Sequence, residues 1–150
     1  VPPPPTFVAS GGFQGNIDRR AEFEYIAPAS VMQSTGVFDA GKGSKESIDL
    51  DGGLKFRLFH HATPASESEF HYFFSAGVEG TTLNSPESQK FFQDVLDAFL
   101  EDKLFIEAQQ DAVIRNPSER LLLREHDKAV AFARQAVAQL RRQNFATAAE

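Results

Sequence analysis

Two residues combine a reactive side chain with a position that turns it away from water: Asp102 and His60. From Ser85 to Ile114, apolar residues recur at three- and four-residue spacing. At about 100° per residue, Phe91, Val95, Ala98, Phe99, Phe105, Ile106 and Val113 fall within one arc of a helix. Asp102 lies near the middle of that arc, so its carboxylate is expected to point inward, whereas Asp94, Asp97 and Glu101 fall on the opposite side. An ionised carboxylate on a buried face is costly unless it is paired, hydrogen-bonded or bound to a metal. A salt bridge to Arg57, Arg120 or Arg124, a bend that returns Asp102 to solvent, and metal ligation all meet that requirement, and periodicity alone favours the structural arrangements. His60 belongs to the run Leu54 to Thr63, whose alternation sets Leu54, Phe56, Leu58 and His60 on one face and Lys55, Arg57, Phe59 and His61 on the other. An inward imidazole can ligate a metal, act as a general base, donate to a ligand, or sit as a core histidine satisfied by a carbonyl. His71 alternates away from Phe70, Tyr72 and Phe74, and His126 reads as a solvated loop residue before the last helix.

Other chemistries are excluded by what the sequence lacks. It has no HExxH, and the adjacent His60 and His61 diverge across a strand, so they cannot easily chelate one ion. Without cysteine, this chain forms no disulfide, thiolate nucleophile, Cys-ligated zinc or iron–sulfur cluster. Gly11-Gly12 lacks the GxGxxG spacing of a phosphate loop, and no GxSxG elbow occurs. A net charge of −6 opposes a nucleic-acid partner, which needs clustered Lys and Arg. No apolar run approaches the roughly 20 residues that span a bilayer, so no membrane segment is expected, and the cysteine-free composition fits a cytoplasmic protein. The aromatic content of 15 Phe, 2 Tyr and no Trp points to a core or cavity lined by rings without a polar handle.

The elements that must position Asp102 and His60 follow from the same patterns. Residues 1–21 open with PPPP and carry glycines at 11, 12 and 15, so they read as an extended lead-in. Residues 22–77 read as antiparallel strands: one or two between Glu22 and Phe38 interrupted at Pro28, a short one at Ile48 to Leu50, the clear strand Leu54 to Thr63, and another from Glu69 to Ser75. Residues 85–143 read as helices. Ser85-Pro86-Glu87 starts the long one, which Asn116-Pro117 ends. After the apolar stretch Leu121 to Leu123, Asp127 can cap a last helix from Lys128 to about Gln143, with Ala129, Ala133, Ala136, Val137 and Leu140 on one face. At 150 residues, with 41% hydrophobic and 24% charged, the chain suits one α+β domain whose helices pack against one face of an antiparallel sheet.

HHATPASESEFHYFF (His60 to Phe74), followed by LEDKLFIEAQQDAVIRNP (Leu100 to Pro117), resembles the C-terminal part of the catalytic domain in Rieske non-heme iron oxygenases. The nearest subgroup is that of the vanillate and dicamba O-demethylase oxygenase components. The likeness extends upstream to PASVMQS (Pro28 to Ser34) and downstream to the Asp127 helix.

The resemblance implies a helix-grip, START-like fold, with an antiparallel sheet wrapped on a long helix and an additional C-terminal helix. It makes Asp102 the carboxylate of a 2-His-1-carboxylate mononuclear Fe(II) site, a facial arrangement that leaves positions open for O₂ beside the substrate. It makes His60 the residue that hydrogen-bonds an aromatic acid. Ser34 falls where the dicamba enzyme has a substrate-binding Asn, and Phe105 and Ile106 become candidates for the pocket wall. The family's two iron histidines lie on an upstream D-x-x-H-x(4–5)-H helix and its [2Fe–2S] Rieske cluster needs a CxH…CxxH pair; neither pattern occurs in this sequence. The chain, which starts at Val1, therefore reads as a segment of an oxygenase subunit that supplies one iron ligand of three. The implied reaction is NAD(P)H-driven O-demethylation or hydroxylation of an aromatic acid, with a ferredoxin or flavin reductase as electron donor and a homotrimer as the assembly. The rival expectation, from another class, is a non-catalytic helix-grip domain that binds an apolar small molecule.

Overall fold

The computed structural model describes residues 1–118 and 124–147. In chain order these form α1 (Pro5–Gly11), β1 (Ile17–Ile26), β2 (Ser30–Asp39), β3 (Leu54–Pro64), β4 (Phe70–Val78), α2 (Pro86–Arg115), a 3₁₀ turn (Glu125–Asp127) and α3 (Lys128–Thr147). The four strands make one antiparallel meander in the order β1-β2-β3-β4. The expected α+β class, with a long helix on an antiparallel sheet and a further C-terminal helix, is the architecture observed.

Register decides which side chains face α2. β2 and β3 pair Thr35 with Phe56 and Gln33 with Leu58, and β3 and β4 pair Leu58 with Ala76 and His60 with Phe74. Because alternate residues share a face, the core side carries Val37, Leu54, Phe56, Leu58, His60, Phe74 and Ala76. Phe91 and Val95 of α2 pack there, the Phe91 ring 4.9 Å from that of Phe56. Phe91 is 2% exposed, and burying such a ring stabilises the fold by about 1.5–3 kcal/mol relative to leaving it in water. The helix start follows the expected chemistry: Ser85 Oγ accepts from the Ser88 N–H at 3.2 Å, and Pro86 opens the first turn. Asn116 ends α2.

Four expectations fail for identifiable reasons. Residues 1–21 are not an extended lead-in. They form α1, whose Phe7 is buried 5.8 Å from the Phe56 ring, and then the first residues of β1, an edge strand whose charges hide it from an alternation test. A left-handed Gly12 (φ +68°) closes α1. Ile48 to Leu50 is not a strand but part of the β2–β3 connection, where Ile48 lies over Gly36. Asp127 does not cap α3 forward: its carboxylate accepts the Arg124 N–H, closing the preceding 3₁₀ turn. Nor does α3 bury a face in the core as α2 does. It lies along a shallow groove with Tyr25, formed by Val130, Ala133, Val137 and Ala138. The stretch Leu121 to Leu123 lies outside the described residues. No helix among the described residues is long and apolar enough to cross a membrane.

Candidate functional site

At the end of the core face beyond Leu58, the apolar layer gives way to a polar pair under one ring. His60 Nδ1 lies 2.5 Å from the Tyr72 hydroxyl, with the two rings stacked at 6.1 Å. Tyr72 pairs across the strands with Ala62 while His60 pairs with Phe74, so Tyr72 is the diagonal neighbour that a long side chain can reach. Phe99, descending from α2, closes the group: its ring is 5.6 Å from His60, 5.7 Å from Tyr72 in an edge-on arrangement, and 4.9 Å from Phe74 at 87°. Such tilted aromatic pairs each add about 0.5–1.5 kcal/mol beyond area burial and hold ring orientation.

Electrostatics set the protonation states. Burial pushes the His60 imidazole below its ordinary pKa, which keeps it neutral near pH 7. Burial, and after it the Asp102 carboxylate, pushes the Tyr72 phenol up, so Tyr72 keeps its proton. A neutral imidazole has one donor and one acceptor nitrogen, so whatever Nδ1 does with Tyr72, Nε2 takes the complementary role.

Asp102 sits one helical turn beyond Phe99, on the side of α2 that faces Tyr72. Its direction agrees with the helical arc, but its depth does not: Asp102 is exposed, where an inward burial was expected. The cause is length. A 30-residue helix runs about 45 Å, whereas the nine-residue β4 beneath it runs about 30 Å, so the helix outlasts the sheet. Asp102 joins none of the ion pairs among the described residues. Of the arginines considered as partners, Arg57 is on the opposite sheet face and Arg120 lies outside the described residues. Phe105 and Ile106, expected as pocket wall, are 70% and 51% exposed for the same reason, and Leu100, Leu104 and Ile114 share that uncovered stretch.

Ser34 is not brought to the site. It pairs with Glu22 and Arg57, which places it on the sheet face away from α2, where it lines a shallow cleft with Asp49, Lys55, Arg57 and Glu79. The β2 carboxamide on the His60 face is its neighbour Gln33, 8% exposed, whose Nε2 donates to Thr35 Oγ1 at 3.0 Å. Alternation along PASVMQS carries this signal once one residue of the strand is placed. Tyr72 and Phe99 are also site members that the sequence reading passed over, although Phe70, Tyr72 and Phe74 share a face by the same alternation. His61, on the outer face, bonds Ser30 Oγ through Nδ1 at 2.7 Å, and His71 is exposed.

Among the described residues, no three His, Cys, Asp or Glu side chains come together to hold a metal. Asp102 is a lone carboxylate, and His60 is engaged by Tyr72. A transition metal does not fit the donors that the described residues bring together. What the arrangement can do is present a neutral imidazole on an open aromatic shelf, with a carboxylate one turn away.

Residues 1–143 match the family described as the vanillate O-demethylase oxygenase C-terminal domain. Two relatives from Comamonas testosteroni are iron–sulfur subunits of toluene-4-sulfonate monooxygenase systems, one of them named so provisionally. They are 30% and 29% identical over 105 residues, a stretch that covers 70% of this chain and 30% of each relative. No solved structure gives a significant match.

Proposed function

The chain belongs to the vanillate O-demethylase oxygenase C-terminal domain family, and from that premise we infer that it is the C-terminal part of the catalytic domain in the oxygenase component of an aromatic-compound monooxygenase. The observation that carries this reading is the juxtaposition on one shelf of an inward neutral histidine, His60, and a carboxylate, Asp102, joined through Tyr72 and Phe99. His60 donates a hydrogen bond to the acid group or oxygen of an aromatic substrate, and the rings of Phe99, Tyr72 and Phe74 supply an apolar bed for the substrate's own ring. Relatives named for toluene-4-sulfonate make sulfonates, beside carboxylates, the anions to test.

Asp102 contributes the carboxylate to a mononuclear Fe(II) whose two histidines come from the remainder of the polypeptide. Held there, the iron would supply O₂ activation for O-demethylation or hydroxylation, and the intact system would need a [2Fe–2S] Rieske cluster and a ferredoxin or flavin reductase that draws on NAD(P)H, none of them held by this chain. The matched relatives are more than three times as long as the shared stretch. The same remainder covers Leu100, Leu104, Phe105 and Ile106, turning the open shelf into a pocket in which Phe105 and Ile106 form part of the wall. Assembly as a homotrimer, in the cytoplasm, completes the proposal. The direct test is Asp102→Asn in the full polypeptide: iron content and turnover should fall together while the far-ultraviolet circular dichroism is unchanged. Wild-type iron content and activity in that variant would remove the metal role.

A further inference from the structure

His60 has a partner whose chemistry defines how it can bind a ligand. Its Nδ1 is within 2.5 Å of the Tyr72 hydroxyl, the two rings are stacked, and the Phe99 ring abuts both, restricting rotation of either. A phenol that keeps its proton is a donor, and a neutral imidazole can accept at one nitrogen only. If Nδ1 accepts, the remaining proton resides on Nε2, which is then a donor, the polarity an anionic acceptor requires.

We propose that Tyr72 is a positioning residue for substrate recognition: its hydroxyl donates to His60 Nδ1, holds the imidazole in one tautomer and ring orientation, and leaves the Nε2 proton aimed at the substrate's acid group. This rests on the reading that His60 contacts the substrate. Tyr72 itself does not touch the substrate's acid group; it acts through His60. Removing the hydroxyl frees the imidazole to change tautomer or to turn about its Cβ–Cγ bond, so that a fraction of molecules present an acceptor or a carbon in place of the donor. Binding weakens, whereas turnover of bound substrate is kept, because a ring at position 72 still forms part of the apolar bed.

The test uses the intact oxygenase with its reductase and compares wild type, Tyr72→Phe, His60→Ala and the double variant on aromatic carboxylates and sulfonates, including toluene-4-sulfonate. Tyr72→Phe keeps the ring that packs against Phe99. It should raise KM about three- to tenfold, the size of one hydrogen bond, with kcat within about twofold. The double variant should be no worse than His60→Ala, since a residue acting through another has nothing left to act on. Additive losses in the double variant, an equal fall in kcat, or an unaffected Tyr72→Phe beside an impaired His60→Ala would overturn the role of Tyr72 and leave that of His60 standing. An unaffected His60→Ala would overturn both.

Discussion

His60→Ala tests the site most directly, and its magnitude can be worked from the surroundings of the imidazole. Deleting a donor leaves a buried polar substrate group unpaired at about 1–3 kcal/mol. His60 is half-buried and lies on a shelf open toward Asp102, so the lower part of that range applies, about 1–2 kcal/mol. At about 1.4 kcal/mol per decade this is roughly a five- to thirtyfold loss in kcat/KM. The control is the neighbouring residue. His61 points to the other sheet face, where it bonds Ser30 and stacks with Phe59 at 6.4 Å, so His61→Ala should change kcat/KM by no more than about twofold while costing about 1 kcal/mol of stability for the abandoned Ser30 hydroxyl. Steady-state kinetics of the intact oxygenase on an aromatic acid, with iron content and denaturant midpoint measured on the same samples, separates the two. If both alanine variants lose activity alike, or if the His60 loss follows its loss of stability, His60 is a core histidine and the substrate role is wrong.

Phe91→Ala should destabilise the domain by about 3–5 kcal/mol, because the ring is buried against Phe56 and its loss leaves a cavity; a denaturant midpoint within error of wild type would contradict the packing. The 150-residue chain should bind Fe(II) weakly, since no three His, Cys, Asp or Glu side chains come together among the described residues, and a tight stoichiometric site in calorimetry would point instead to a local histidine cluster. Burial holds the His60 imidazole below its ordinary pKa of 6.5, so the unfolded chain takes up the proton more readily than the folded one. Its contribution to stability is therefore whole above about pH 6.5 and is lost as pH falls from there toward the folded value. His60→Gln should flatten that part of the stability curve, and an unchanged pH dependence would show that the imidazole is not buried.

What could be read from the sequence depended on whether local pattern or long-range pairing decides the position. The strand at Leu54 and the start of α2 at Ser85-Pro86 are written in alternation and capping, and both stand where those signals put them. The inward face of His60 followed from alternation alone. The candidacy of Ser34 came from matching a motif, which carries no statement of face: a shift of one residue along a strand moves a side chain to the opposite side, and Gln33 is the residue on the His60 side. The phase of Asp102 was legible in the helical arc, yet its burial was not, because periodicity says which way a residue points but not whether anything is there to cover it. α1 was hidden because a seven-residue helix that opens on the last residue of a proline run is too short to show a period, and its place depends on packing with distant elements, as of Phe7 against Phe56.

The overhang of α2 has a mechanical meaning. Phe91, Val95 and Phe99 grip the sheet, and no break in the helix separates them from Asp102, so the carboxylate rides on the helix like a tooth on a screw whose shank is clamped at one end. Its azimuth is set by residue count alone. One alanine inserted after Leu100 would advance it by about 100° and 1.5 Å, away from Tyr72, while leaving every clamped contact in place. Four inserted alanines would bring it back to within about 40° of its original azimuth but about 6 Å further along the axis. The site is therefore more sensitive to the number of residues between Phe99 and Asp102 than to the identity of those residues, and small insertions there would separate folding from function.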